Sequence, residues 1–197
     1  MHRAVTCLVA VGAAVILLLA GCGGGDDDVV GTVSETKPAT GVTSGADPLA
    51  GASTNPVSAD SAGSETSLMT GVRAARHEGY DRVVVEFRNS VPGYRIGYAE
   101  RPVRADGSGA EVRIDGRSVV VIRMEPALDA DLTQESAPST YTGPRRISPG
   151  TPEVKELVRI GGFEGVLTWA VGLADRVPFR VTTLGDPPRL VVDFVNH

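Results

Sequence analysis

The 197-residue sequence has only two cysteines and three histidines, and none of the five is placed to do chemistry in a folded domain. Cys7 and Cys22 belong to the N-terminal segment, so everything after residue 22 lacks a disulfide and a thiolate metal site. His2 precedes that segment, His197 is the C-terminal residue and His77 lies beside a turn, where it reads as a solvated side chain. A metal centre or a histidine-based triad needs convergent partners, and this set offers none. A Walker loop, a dinucleotide fingerprint and a nucleophile elbow are also missing; Gly23-Gly24-Gly25 and Gly161-Gly162 lack the strand–helix context such loops require. We therefore expect no catalytic residue, no metal, no cofactor and no enzymatic activity. Helical periodicity is scarce as well. An excess of basic charge is the last absence: the net charge is −5, and from Leu68 onward 17 acidic residues balance 17 arginines and lysines. A neutral domain argues against a nucleic-acid partner, which needs a basic face.

The negative charge is concentrated in residues 22–67, where seven acids face Lys37 alone. This stretch is rich in Gly, Ser, Thr, Ala, Asp and Pro, has no hydrophobic period, and reads as a disordered tether. Before it, residues 1–21 have the form of a signal peptide. His2 and Arg3 lead an apolar run, Ala4 to Leu18, that is shorter than the roughly 20 residues of a membrane span. The run ends in Leu19-Ala20-Gly21-Cys22, which resembles a bacterial lipobox. That resemblance implies cleavage before Cys22, a lipid on its thiol, and a location on the outer face of the cytoplasmic membrane. Each buried methylene of an acyl chain contributes about 0.8 kcal/mol, so two or three chains anchor firmly.

The remaining residues, 68–197, are organised around a segment that occurs twice. Residues 72–87 align without a gap on residues 179–194, and the second halves agree in class at every position: Arg, aliphatic, Val, Val, acid, Phe. Each copy reads as strand, tight turn, strand, with Glu78-Gly79 in one turn and Gly185-Asp186-Pro187-Pro188 in the other. Val83, Val85 and Phe87 share one face by period-two alternation, as do Leu190, Val192 and Phe194. Arg82, Glu86, Arg189 and Asp193 share the opposite face, where exposed charge pairs contribute only tenths of a kcal/mol. Between the copies, Tyr94, Ile96 and Tyr98 alternate on one face, and Asp115-Gly116 between two apolar runs predicts a hairpin of residues 111–114 with 118–124. Gly161-Gly162 should end a strand over residues 154–160, and Val166 to Leu173 should form another, with Leu167, Trp169, Val171 and Leu173 packed inward. The sum is an all-β fold of about nine short strands, a single β-sandwich.

The closing residues Phe179 to Leu184 and Pro187 to Phe194 resemble the end of AMIN domains, and Asp81 to Phe87 is similar to their first strand pair. With the lipobox and the acidic linker, the chain resembles the AMIN-like domain lipoproteins of bacterial envelopes. The resemblance implies a non-catalytic β-sandwich that binds peptidoglycan or another cell-wall glycan.

Residues 126–152 form a long aperiodic stretch, and Tyr141, Arg145 and Arg146 within it are the candidate ligand-binding residues. Adjacent arginines grip carboxylates, and a tyrosine offers a flat ring to a sugar. The carboxylates Glu153 and Glu156, and Asp129 and Asp131, read as solvated rather than as a glycosidase pair. Partners therefore include peptidoglycan or an envelope protein docked by strand pairing, and the membrane through the anchor; a carrier of an apolar small molecule is a further alternative. Oligomeric state is open at this stage. The anchor has a direct test. Cys22→Ala should release the protein from membranes or leave it unprocessed, and a variant of mature size that still fractionates with membranes rules lipidation out.

Overall fold

The chain's structure is a computed structural model that describes residues 49–196. The signal peptide at 1–21, Cys22, the tether through residue 48 and His197 lie outside the described residues. Eleven strands are present: β1 (Val57–Ala59), β2 (Ser67–His77), β3 (Tyr80–Arg88), β4 (Gly93–Ala99), β5 (Ser118–Glu125), β6 (Ala127–Leu128), β7 (Arg146–Ile147), β8 (Val154–Phe163), β9 (Val166–Leu173), β10 (Phe179–Leu184) and β11 (Arg189–Val195). They form a six-stranded sheet, β1-β4-β5-β9-β8-β7, and a five-stranded sheet, β10-β11-β3-β2-β6. The all-β sandwich read from period-two alternation is the fold.

The two copies of the repeat make both predicted hairpins. β2 and β3 are joined by Glu78-Gly79, where Gly79 takes a φ of 81° that a side chain would disfavour. β10 and β11 pair from Phe179 opposite Phe194 to Leu184 opposite Arg189. The hairpins then join through β11 and β3, with Leu190 opposite Val85 and Val192 opposite Val83. Their inward residues meet Ile96, Val120, Ile122, Leu157, Leu167, Trp169 and Leu173 of the other sheet in one core. Phe179 and Phe194 touch within it, ring centres 5.9 Å apart.

One inward position of β3 is polar. Asp81 is fully buried at the end of the core, and its carboxylate accepts hydrogen bonds from the Glu153 and Val154 amides, at 2.6 and 2.9 Å, and from Asn196 Nδ2 at 2.7 Å. It thereby ties the five-stranded sheet to the start of β8 in the other. Such a carboxylate is tolerated in the interior because each oxygen is satisfied.

Four local expectations are corrected. Residues 49–66 fall inside the expected tether, yet β1 pairs with β4 and Ser53 exchanges two backbone hydrogen bonds with Phe179, at 2.9 and 3.0 Å. This segment runs from β10 of one sheet to β4 of the other, attached mostly through main chain with Val57 alone packed on the core, which leaves little hydrophobic signature. The Asp115-Gly116 hairpin does not form, because β5 already pairs with β4 and β9 on its two edges. Residues 100–117 instead lie over the outer face of the six-stranded sheet, where Val103 and Ile114 pack on Val119, Val158, Ile160 and Ala170. Gly161-Gly162 does not break β8; a bulge after Arg159 carries the strand on to Phe163. A Cβ on Gly161 would collide with the Asp106 carboxylate of that covering segment, so glycine is required by packing there. Finally, residues 126–152 contain the short edge strands β6 and β7 and are no simple loop.

Phe87 and Phe194 are both buried. Truncation of a buried Phe to Ala costs about 3–5 kcal/mol, so Phe194→Ala should lower stability in denaturant nearly as much as Phe87→Ala although it lies close to the C-terminus. Wild-type stability for Phe194→Ala would contradict the closing role of β11.

Candidate functional site

The two sheets differ in how their outer faces are finished. The six-stranded sheet carries residues 100–117 on its outside, held by Thr168 Oγ1 donating to Asp106 at 2.5 Å and the Asp106 amide donating to Ile160 at 2.9 Å. The five-stranded sheet presents its outer face directly. On it, Val84 and Val191 lie opposite each other at the centre and are only 7% and 2% exposed. A groove of about 270 Å³ runs here, lined by Arg73, Ala75, His77, Arg82, Val84, Leu184, Arg189 and Val191.

The arginines of this face differ in what holds them. Arg82 forks onto Asp193 at 2.7 and 2.9 Å, and Arg180 adds a longer bond of 3.3 Å to the same carboxylate. Asp193 is fully buried beneath them, which corrects the expectation of an exposed pair: flanking strands carry the two arginines over it and exclude water. The Asp193 hydrogen bond raises the Arg82 guanidinium further above its ordinary range. Arg73 pairs with Glu86 at 2.6 Å. Arg189 donates only to the carbonyls of Pro187 and Asp186, at 3.2 and 3.5 Å, and among the described residues has no carboxylate partner. At one end His77 stacks on Tyr80, ring centres 4.8 Å apart and 7° from parallel, and Arg82 lies 5.2 Å from the same Tyr80 ring. His77 is exposed, as the sequence implies, yet it also lines the groove.

Four arginines against two carboxylates give this face a net positive charge over an apolar floor. It suits a ligand that carries carboxylates or other anions on a partly apolar frame. Nothing here activates a nucleophile.

The residues expected to bind ligand lie elsewhere and do not act together. Tyr141 is buried in the core, edge-on to Trp169 at 5.9 Å between centres, and its hydroxyl donates to the Pro144 carbonyl at 2.8 Å. Its ring is therefore packing, not platform. Arg146 is committed to Glu156 at 2.6 Å and to the Arg113 carbonyl at 3.1 Å, whereas the Arg145 side chain is exposed. Trp169 packs inward as expected. Arg82 and Arg189 were visible in sequence as the charged face of the repeat's second strands; what was missed is that the first strands of the two copies, β2 and β10, add Arg73 and Arg180 to the same face.

The acidic residues are also placed differently from the expectation that they are solvated. Glu153, Glu156 and Asp131 are all buried. Glu156 accepts from the Asp115 amide at 3.1 Å as well as pairing with Arg146, and Asp131 is capped by Thr133 and Gln134. Asp129 pairs with Arg159. Glu153 accepts from the Asp175 amide at 2.9 Å. These carboxylates hold backbone together. Among the described residues, no group of three or more His, Cys, Asp or Glu is placed to hold a metal ion.

With this geometry in hand, comparison with known protein families matches residues 67–196 to the AMIN-like domain. The chain belongs to the AMIN-like domain family. Membership associates it with the cell envelope, and AMIN-like domains are generally non-catalytic binding modules. No curated protein and no solved structure matches the chain.

Two neighbouring carboxylates of this AMIN-like domain should respond oppositely to pH. Burial alone would raise Asp81, but hydrogen bonds from Thr151, Val154, Asn196 and Glu153 outweigh it and hold its carboxyl below the ordinary value. Burial pushes Glu153 up, aided by the nearby charges of Asp175 and Asp81. Asp81 thus stabilises the fold fully above its unfolded value near 3.8, and the contribution fades as pH falls through its lower folded value. Glu153 works in reverse: stability is lost as pH rises from its unfolded value near 4.5 through its raised folded value. In denaturant melts across pH, the deficit of Asp81→Asn should shrink on acidification, and Glu153→Gln should gain on wild type as pH rises. Differences that stay flat with pH would refute both assignments.

Proposed function

We propose that this domain is a non-catalytic binding module for peptidoglycan or another cell-wall glycan, held at the outer face of the cytoplasmic membrane by a lipid on Cys22. The observation that carries the reading is the open arginine groove of the five-stranded sheet, with Arg189 free of any carboxylate among the described residues and Arg73 and Arg82 beside it. Peptidoglycan offers what such a groove takes: stem-peptide carboxylates for the guanidiniums. Family membership supports the envelope setting.

A second reading has its own observation. Phe179 turns its N–H and C=O away from β11 toward Ser53, so Val181 and Thr183 turn theirs the same way along the outer edge of β10. That edge would serve an envelope protein that adds a strand.

Sedimentation with purified peptidoglycan separates the two. A charged hydrogen bond is worth about 1.5–3 kcal/mol, so Arg73→Ala with Arg189→Ala should weaken retention by about tenfold or more. Arg189 holds no ion pair and Arg73 only an exposed one, so melting should change little. Undiminished retention by a normally folded double variant removes the groove from the reading, and a wild-type domain that is not retained by peptidoglycan but captures an envelope protein, with capture lost on Val181→Pro, favours the strand partner.

A further inference from the structure

A second cluster of arginines lies apart from the groove, where β4 ends, β5 begins and the β9–β10 connection passes. It surrounds a cleft of about 400 Å³ lined by Tyr98, Glu100, Arg101, Arg117 and Arg176 above Val119. Each guanidinium is positioned by a different means. Arg101 donates to the carbonyls of Ile114 and Gly116, at 2.9 and 2.7 Å. Arg117 donates to the Ala174 carbonyl at 2.7 Å and pairs with Asp175. Arg176 lies 4.1 Å over the Tyr98 ring, and that ring is fixed because its hydroxyl donates to the Val177 carbonyl at 2.6 Å and accepts from the Val177 amide at 2.9 Å. Carbonyls and a ring orient a guanidinium without neutralising it, so Arg101 and Arg176 keep their full charge for a ligand.

The balance of charge narrows the ligand. Three arginines against Asp175 and Glu100 leave one net positive charge. Glu100 is exposed at the rim, where it opposes a dianion and accepts a hydrogen bond from a hydroxyl. One net positive charge suits a monoanion, and guanidiniums held at three separate points suit the spread oxygens of a tetrahedral phosphodiester, which carries a single negative charge. We infer that the cleft is a binding site for a phosphodiester group.

The position fits two sources. Ser53 pairs with Phe179, three residues beyond Arg176, so the chain joins the domain next to the cleft. The anchor proposed at Cys22 would bring lipid headgroups near the domain; a soluble glycerophosphodiester is the other source.

The test uses residues 22–197 carrying Cys22→Ala, so that no lipid anchor contributes. Vesicles of phosphatidylglycerol in phosphatidylcholine are compared with phosphatidylcholine alone by sedimentation, and glycerophosphoglycerol is compared with glutarate by calorimetry. Binding to anionic vesicles alone assigns the headgroup; binding to the soluble diester as well assigns the phosphodiester generally. Arg176→Gln, which removes no ion pair, should weaken either by about tenfold without changing the melting temperature. Arg73→Ala with Arg189→Ala should leave it intact, and Arg176→Gln should leave peptidoglycan retention intact, so this site and the groove fail separately. The inference is overturned if neither source binds, if glutarate binds as well as the diester, or if Arg176→Gln and Arg101→Gln both bind normally.

Discussion

The fold depends on a segment that pairs with a copy of itself. Arg-aliphatic-Val-Val-acid-Phe occurs in β3 and again in β11, and the two strands run antiparallel side by side. Reversal of one copy against the other sets the arginine of each opposite the acid of its partner: Arg82 faces Asp193, and Glu86 faces Arg189. The same reversal sets aliphatic against aliphatic on the inner face, Val83 against Val192 and Val85 against Leu190. A register slip of one residue would put charges into the core, so the motif specifies its own alignment. It also joins the ends of the domain. β11 lies between β10 and β3, so the two hairpins of the five-stranded sheet join only when residues 189–195 are in place.

The symmetry is incomplete, and the departure from it leaves an unpaired cation on the outer face. One crossed pair is made, Arg82 with Asp193, and burial of that carboxylate beneath two arginines makes it part of the framework. The other is not made. Glu86 turns to Arg73 on β2, which leaves Arg189 with carbonyls only. A motif that is self-complementary for folding thus leaves one cation over on the surface. The contrast between the sheets acts in the same direction, since the six-stranded sheet is covered by residues 100–117 and the five-stranded sheet keeps its outer face open.

What was legible in the sequence is what depends on side-chain period. Both hairpins of the repeat, the inward set of Val166–Leu173 with Trp169, and the all-β class follow from alternation alone. What was not legible depends on partners distant in the chain. β1 is only three residues long and pairs with β4 across the chain, so a segment flanked by polar residues reads as tether. Glu153 and Asp81 look solvated or neutral in isolation, and only the 72-residue separation closed by the Glu153 amide and Asp81 Oδ2 accounts for their burial. Tyr141 beside Gly143-Pro144 has the composition of a surface loop; a ring packed on Trp169 is a tertiary fact that no local pattern carries. The Asp115-Gly116 turn had the right chemistry for a hairpin, but a strand has two edges and β5 uses both for other partners.

The arginines make the general point, because composition treats them alike and the fold does not. Arg159 and Arg146 are matched to Asp129 and Glu156, and their charge is consumed in holding β8 to its surroundings. Arg82 and Arg180 share one buried carboxylate, so part of their charge remains at the surface. Arg189, Arg101 and Arg176 are held by carbonyls or by an aromatic ring, and these contacts fix position while leaving charge. A guanidinium needs a partner to be ordered, and a neutral partner orders it without satisfying it electrostatically. Of the arginines so held, Arg189 lines the groove, and Arg101 and Arg176 line the cleft. The identity of an arginine's partner, rather than its exposure, therefore separates the residues that maintain this fold from those that remain available for recognition.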